Sequence, residues 1–251
     1  MHRLKPRVLL THKLREMGTA LPMEILDNDY SLREKIKNIM KKYDTGTRFA
    51  NIPLQKASVL LPLFIKEEKI HLLFTVRSMK LKTMPGDVCF PGGRREQTDK
   101  DDVQTALREA KEEIGLCPEQ VEIIGRLIPA MSMSPRYLIT PVVAVVEEPF
   151  QACPDPNEVA DVFLVPLDFF LSSDHYTILH FNVPGTGTHR LHTFHYEDKE
   201  KKKIFKIWGL TAHLALLLAV ILLEKAPSFD YNLQNVLLVN ENALLSSYSK
   251  L

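Results

Sequence analysis

Three glutamates, Glu109, Glu112 and Glu113, stand at spacings i, i+3 and i+4 in the stretch Arg108–Leu116, REAKEEIGL. On one helix face such like charges repel and lower helix stability by a few tenths of a kcal/mol per pair. The gain that could offset this is a cation site. A small number of carboxylates on an anchored helix suits magnesium or manganese, which take hard oxygen ligands together with water and substrate phosphate. An isolated E-x-x-E-E is equally a solvated acidic face, so its surroundings decide. Just upstream lies Phe90-Pro91-Gly92-Gly93, where two glycines let the backbone turn sharply and come close to a ligand or metal.

The element that must carry the acids is a helix over residues 98–116. Val103, Leu107, Ala110 and Ile114 are spaced four, three and four apart and form an apolar stripe toward the core. Thr98 or Asp99 is placed to cap the start, and Asp101 and Asp102 favour the positive end of the helix dipole. Gly115 is placed for a left-handed C-cap. Around this helix, residues 31–43 read as an amphipathic helix. Residues 58–65 and 70–78 read as a hairpin turning at Lys66–Lys69, and 121–130, 138–148 and 161–171 as further strands, the last turning helical near Pro166. Residues 176–184, 190–198 and 203–210 alternate like strands, and His192 and His195 read as exposed strand histidines.

The most apolar stretch, residues 210–223, would rise about 21 Å as a helix, short of a bilayer core of about 30 Å. His213 within it favours a buried core helix over a membrane span. The pattern as a whole is a single α+β domain over 31–248, preceded by a flexible extension over 1–30. The chain has 251 residues, 45% apolar and 25% charged, and a net charge of +1 from 32 basic and 31 acidic side chains. That balance offers no field for nucleic acid or a membrane surface, so a polyanionic ligand has to be met by a local cluster. Three cysteines without a CxxC pair suit a reducing compartment and offer no zinc site. The first eighteen residues are rich in basic side chains, with a faint presequence look. Ser249-Lys250-Leu251 reads as a peroxisomal address recognised by an import receptor.

The stretch from Gly93 to Leu116 resembles the Nudix box, G-x5-E-x7-R-E-U-x-E-E-x-G-U with U apolar. REAKEEIGL fits its second half, whereas fourteen residues rather than thirteen separate Gly93 from Arg108. Upstream, Leu72–Gly93 is similar to the signature of the coenzyme A diphosphatase branch of Nudix hydrolases. Arg77, Ser78, Gly86, Phe90–Gly93 and Thr105–Glu109 match it, while Lys82 and Glu96 depart from it. The Glu158–Leu167 run also looks like the family.

The resemblance implies a Nudix α/β/α sandwich with a mixed central sheet and a Mg2+ or Mn2+ ion held by Glu109 and Glu113, with Glu112 and the Gly93 carbonyl. It implies that Arg108 orients a glutamate and that Glu112 is the general base, with Glu158 as its rival. Phe90, Gly92 and Gly93 would line the substrate, and Arg77 and Lys82 would meet its phosphates. The reaction implied is hydrolysis of CoA and acyl-CoA to 3′,5′-ADP and (acyl-)4′-phosphopantetheine in the peroxisome. The alternatives are a Nudix diphosphatase for NADH, ADP-ribose or nucleotide sugars, and an inactive Nudix fold used as a binding module.

Overall fold

The computed structural model describes residues 23–132, 137–183 and 187–248. In chain order it runs α1 (Met23–Met40), β1 (Gln55–Lys66), β2 (Lys69–Arg77), β3 (Val88–Cys89), β4 (Gly92–Arg94) and α2 (Asp102–Ile114). There follow β5 (Val121–Arg126), β6 (Ala130–Met131), β7 (Tyr137–Val146), β8 (Val159–Pro166), β9 (Tyr176–Val183) and β10 (Gly187–Asp198). The chain closes with β11 (Lys203–Trp208), α3 (Gly209–Leu223) and α4 (Leu233–Tyr248).

The β1–β2 hairpin forms where the alternation ends. Lys66 pairs with Lys69 across a two-residue turn, with Glu67 and Glu68 both at positive φ, the backbone that matches the twist of paired strands. α1 secures this turn: Asp29 accepts the Glu68 backbone N–H at 2.7 Å and Asn28 donates to the Glu68 carboxylate at 2.7 Å. β1 is parallel to β7 and antiparallel to β2 and β4, so the eight-stranded central sheet is mixed.

Because side chains alternate along a strand, the sheet serves two cores. Leu60, Phe64 and Val142 point to one face and meet Ala106, Ala110 and Ile114 of α2. Leu61, Leu63, Phe74 and Val143 point to the other and meet α1, α3 and the inner face of a second sheet, ordered β11-β10-β9. The expected sandwich with a mixed central sheet is therefore present, enlarged by a three-stranded antiparallel sheet that the alternating segments did not announce as separate.

α3 is buried along nearly its whole length, in keeping with a core helix. Among the described residues no helix is long and apolar enough to cross a membrane. Helix α1 starts at Met23, inside the stretch expected to be a flexible extension, and α4 is a further helix that the sequence pattern did not announce. Residues 1–22 and Ser249–Leu251 lie outside the described residues. His192, expected to be exposed, is 4% exposed. Its Nδ1 lies 2.9 Å from the Tyr176 hydroxyl, because β10 is the central strand of the second sheet and presses that face onto α3.

Candidate active site

The glycine turn and α2 come together through backbone geometry. β4 pairs with β1 so that Gly93 faces Ser58 and Gly92 faces Val59. Gly92 has φ +153, and a Cβ there would lie 2.3 Å from the Ser58 carbonyl oxygen. At Gly93 a Cβ would meet both carboxylate oxygens of Glu109, at 2.4 and 2.6 Å. Both glycines are thus required by close approach, one to a strand and the other to an acid of the helix.

α2 is cut to present those acids. Asp101, rather than Thr98 or Asp99, caps it by accepting the Gln104 N–H, and Gly115 ends it in the left-handed region. The buried side of the helix also takes in Thr105 and Ala106, beyond the predicted stripe. Glu113 falls on that buried side, 6% exposed, and accepts the Gly92 N–H at 3.2 Å. Burial pushes its carboxyl up to about 8; Glu109 and Glu158 add to the rise, while the Gly92 N–H and Arg77 oppose it. Burial also raises Glu109, against the pull of Arg108.

Arg108 is the hub of the arrangement. Its Nε and Nη2 donate to the two carboxylate oxygens of Asp99, each at 3.0 Å, and Nη2 also donates to the Arg94 carbonyl at 2.9 Å. Its Nη1 lies 3.0 Å from both Glu109 Oε1 and Glu112 Oε2. The fork geometry explains why arginine rather than lysine stands here. Asp99 is 5% exposed, and the Arg108 guanidinium holds its carboxyl down to about 2. Asp99 is the residue that reading by spacing missed. It lies nine positions before its partner, outside any helical interval, and looked like a cap.

The candidates do not all converge. Gly92, Gly93, Arg108, Glu109 and Glu113 share the site, and Glu112 sits at its exposed rim on Arg108. Arg77, at the end of β2, and Glu158, in the loop before β8, act electrostatically on Glu113. The two are linked by the Ser78 N–H, which donates to the Glu158 carbonyl at 2.8 Å, and the Ser78 hydroxyl, which donates to the Pro156 carbonyl at 2.9 Å. Arg77 Nε donates to the Thr83 carbonyl at 3.2 Å and so braces the loop that carries the exposed Lys82. Phe90 corrects an expectation: its ring is 3% exposed and stacks on Phe74 at 4.8 Å. It supports the glycine turn from the core instead of facing a ligand.

Among the described residues no three His, Cys, Asp or Glu side chains are drawn together as a metal cluster. Glu113 accepts the Gly92 N–H, while Glu109 and Glu112 are paired with Arg108. The donor set nevertheless fits a hard divalent ion. Glu113 is a buried carboxyl with a single backbone donor, Glu109 lies a turn away beside the Gly93 backbone, and every available atom is oxygen.

The NUDIX domain model matches residues 54–180, from the first strand through the second sheet's first strand. The chain belongs to the Nudix hydrolases. As a Nudix protein it is 42% identical over 232 residues to the peroxisomal coenzyme A diphosphatase of Mus musculus, covering 92% of this chain and 96% of that one. It is 36% identical over 178 residues to the mitochondrial Nudix hydrolase 15 of Arabidopsis thaliana, covering 70% of this chain and 61% of that protein. A solved Ap4A hydrolase complex from C. elegans is similar at 21% identity and a TM-score of 0.39, covering 46% of this chain and 82% of that one. Nudix hydrolases act with a divalent metal.

Proposed function

We propose that the protein hydrolyses the diphosphate bond of coenzyme A and its acyl esters, giving 3′,5′-ADP and 4′-phosphopantetheine or its acyl form. The observation that carries this reading is the 42% identity, over nearly the whole chain, to a relative named a coenzyme A diphosphatase. The Leu72–Gly93 signature supports it. In this reading Glu109 and Glu113, with Glu112 and the Gly93 backbone, hold Mg2+ or Mn2+. Held by these residues, such an ion would offset the charge of the diphosphate and polarise the attacking water.

The remaining work falls to the chain itself. Arg108 positions Glu109 and Glu112 while Asp99 holds Arg108, so neither glutamate has to be ordered when substrate arrives. Glu112 accepts the proton of the attacking water, its exposed carboxylate lying at the rim of the acidic group. Glu158 is the second candidate for this role, favoured by its nearness to Glu109 and Glu113. Arg77, at the end of β2, and Lys82, in the loop after it, meet the diphosphate. Peroxisomal residence and capture by an import receptor through Ser249-Lys250-Leu251 are part of the same proposal, supported by that tripeptide and by the relative's name.

The test is incubation of purified protein with magnesium and a panel of CoA, acyl-CoAs, NADH and ADP-ribose, with chromatographic identification of the products. Release of 3′,5′-ADP from CoA species is expected. Hydrolysis of NADH or ADP-ribose in preference would move the protein to another Nudix substrate class, and no hydrolysis of anything would make it a binding module.

A further inference from the structure

Beside the glycine turn, on the side away from Arg77, lies a cleft of about 410 Å³ lined by Lys56, Arg94, Arg95 and Tyr137, with Glu96 as its one acid. None of these side chains has a part in holding metal or activating water. The guanidinium of Arg94 lies over the Tyr137 ring, 5.1 Å from its centroid, and among the described residues its N–H fork has no carboxylate or carbonyl partner, so it can meet an anion. Lys56 is half-buried behind it, with Nζ held by the Ile52 carbonyl at 2.6 Å. Arg95 is braced on the Asp99 carbonyl at 3.2 and 3.3 Å. Two acids border these cations: Glu96 lines the cleft, and Asp102 acts on Lys56, favouring its charged form against the pull of burial and Arg95. Glu96 is 62% exposed and lies 3.9 Å from Arg108, and Asp102 accepts the Thr140 hydroxyl at 3.1 Å.

The cleft is locked to the reacting end of the site. Arg94 follows Gly93 directly and pairs with Ala57 where Gly93 pairs with Ser58. Lys56 is a further residue along β1, about 7 Å from the Gly93 rung at the usual rise of a strand. The Arg94 carbonyl is itself a partner of Arg108. A diphosphate at the glycine turn therefore has, one sugar's width away, a cationic fork with a second cation behind it. That is the complement of a phosphate monoester, which carries close to two negative charges at neutral pH.

We infer that this cleft binds the 3′-phosphate on the adenosine half of the substrate, with Arg94 as the principal contact and Lys56 as the supporting cation. The inference rests on the coenzyme A reading above and makes Arg94 a specificity determinant, while Arg77 and Lys82 serve the diphosphate.

The experiment measures kcat/KM for CoA and for 3′-dephospho-CoA, with wild type, Arg94→Gln, Arg94→Lys and Lys56→Gln. Wild type prefers CoA by about tenfold, the scale of one charge-assisted contact, and the preference lies in KM. Arg94→Gln brings the two substrates within about twofold by losing rate on CoA alone, Arg94→Lys retains part of the preference, and Lys56→Gln reduces it less than Arg94→Gln. Equal losses on both substrates, or a wild type that does not distinguish them, would overturn the inference. Calorimetry with 3′,5′-ADP against 5′-AMP gives a reading independent of turnover. Tighter binding of 3′,5′-ADP by about tenfold, abolished in Arg94→Gln, supports the cleft, and equal affinities refute it. A wild type inert toward CoA would defeat the coenzyme A reading while the calorimetric comparison still decided the cleft.

Discussion

Behind the glycine turn, Glu113 is nearly sealed from solvent with one backbone N–H for company, and Glu109 and Glu158 crowd it with charge of the same sign. Beneath β10, His192 is buried and His213 half-buried, their rings 6.0 Å apart, and each has a neutral partner: the Tyr176 hydroxyl at 2.9 Å and the Asn240 amide at 3.4 Å. Burial holds both imidazoles down to about 4, so they serve as uncharged members of a core. Around Glu113, by contrast, Arg108 holds Asp99, Glu109 and Glu112 in an ionised network. Histidines with neutral partners act as core residues, whereas a buried carboxyl crowded by like charge is a candidate functional group.

Glu112→Gln removes a carboxylate that is 56% exposed. Turnover should fall by roughly 10² to 10⁴-fold with the melting temperature unchanged. A near-wild-type rate in the folded variant would transfer the base role to Glu158, and Glu158→Gln would then carry the loss. Gly93→Ala drives a methyl group into the Glu109 carboxylate and should cost roughly a hundredfold in turnover by displacing it. An active Gly93→Ala enzyme would show that Glu109 need not lie where it does.

Asp99→Ala leaves Arg108 without its bidentate partner. It should lower stability by about 2–4 kcal/mol in urea denaturation, with a loss of turnover. A drop in stability without any loss of rate would confine Asp99 to the fold. On the other side of the comparison, the histidine pair makes stability depend on pH without touching chemistry. Both folded-state values lie below that of a free imidazole, so the unfolded chain binds protons that the folded chain refuses. Stability is therefore retained above about pH 6.5 and lost as the pH falls toward 4. The pair should cost about 1 kcal/mol between pH 7 and pH 6, and His192→Gln should flatten the slope. A slope unchanged in that variant would place the dependence elsewhere.

What could be read from the residues divides along physical lines. The β1–β2 hairpin, α2 and α3 announced themselves because period, turn and cap agree locally. The acid triad and the glycine turn were legible for the same reason, since the Gly92-Gly93 pair and the spacing of Glu109, Glu112 and Glu113 are local facts. Asp99 was not, because its bond to Arg108 depends on the loop before α2 folding back. Phe90 looked like part of a ligand motif because it sits beside the glycines, and only the sheet's facing shows that it turns inward onto Phe74. His192 depended on knowing that β10 is a central strand covered by α3. Helix α4 escaped because Leu238, Val239 and Leu245 are exposed, which blurs the apolar stripe that would have marked it.

The proposed divalent-cation site consists of Glu109, half-buried, and Glu113, buried, behind the glycine turn. Calorimetric titration of the purified protein with Mn2+ tests it most directly. Wild type should bind, and Glu113→Gln and Glu109→Gln should each weaken binding by tenfold or more, as expected for loss of an anionic ligand to a hard cation. An unchanged affinity in both variants, with the fold intact, would contradict the account.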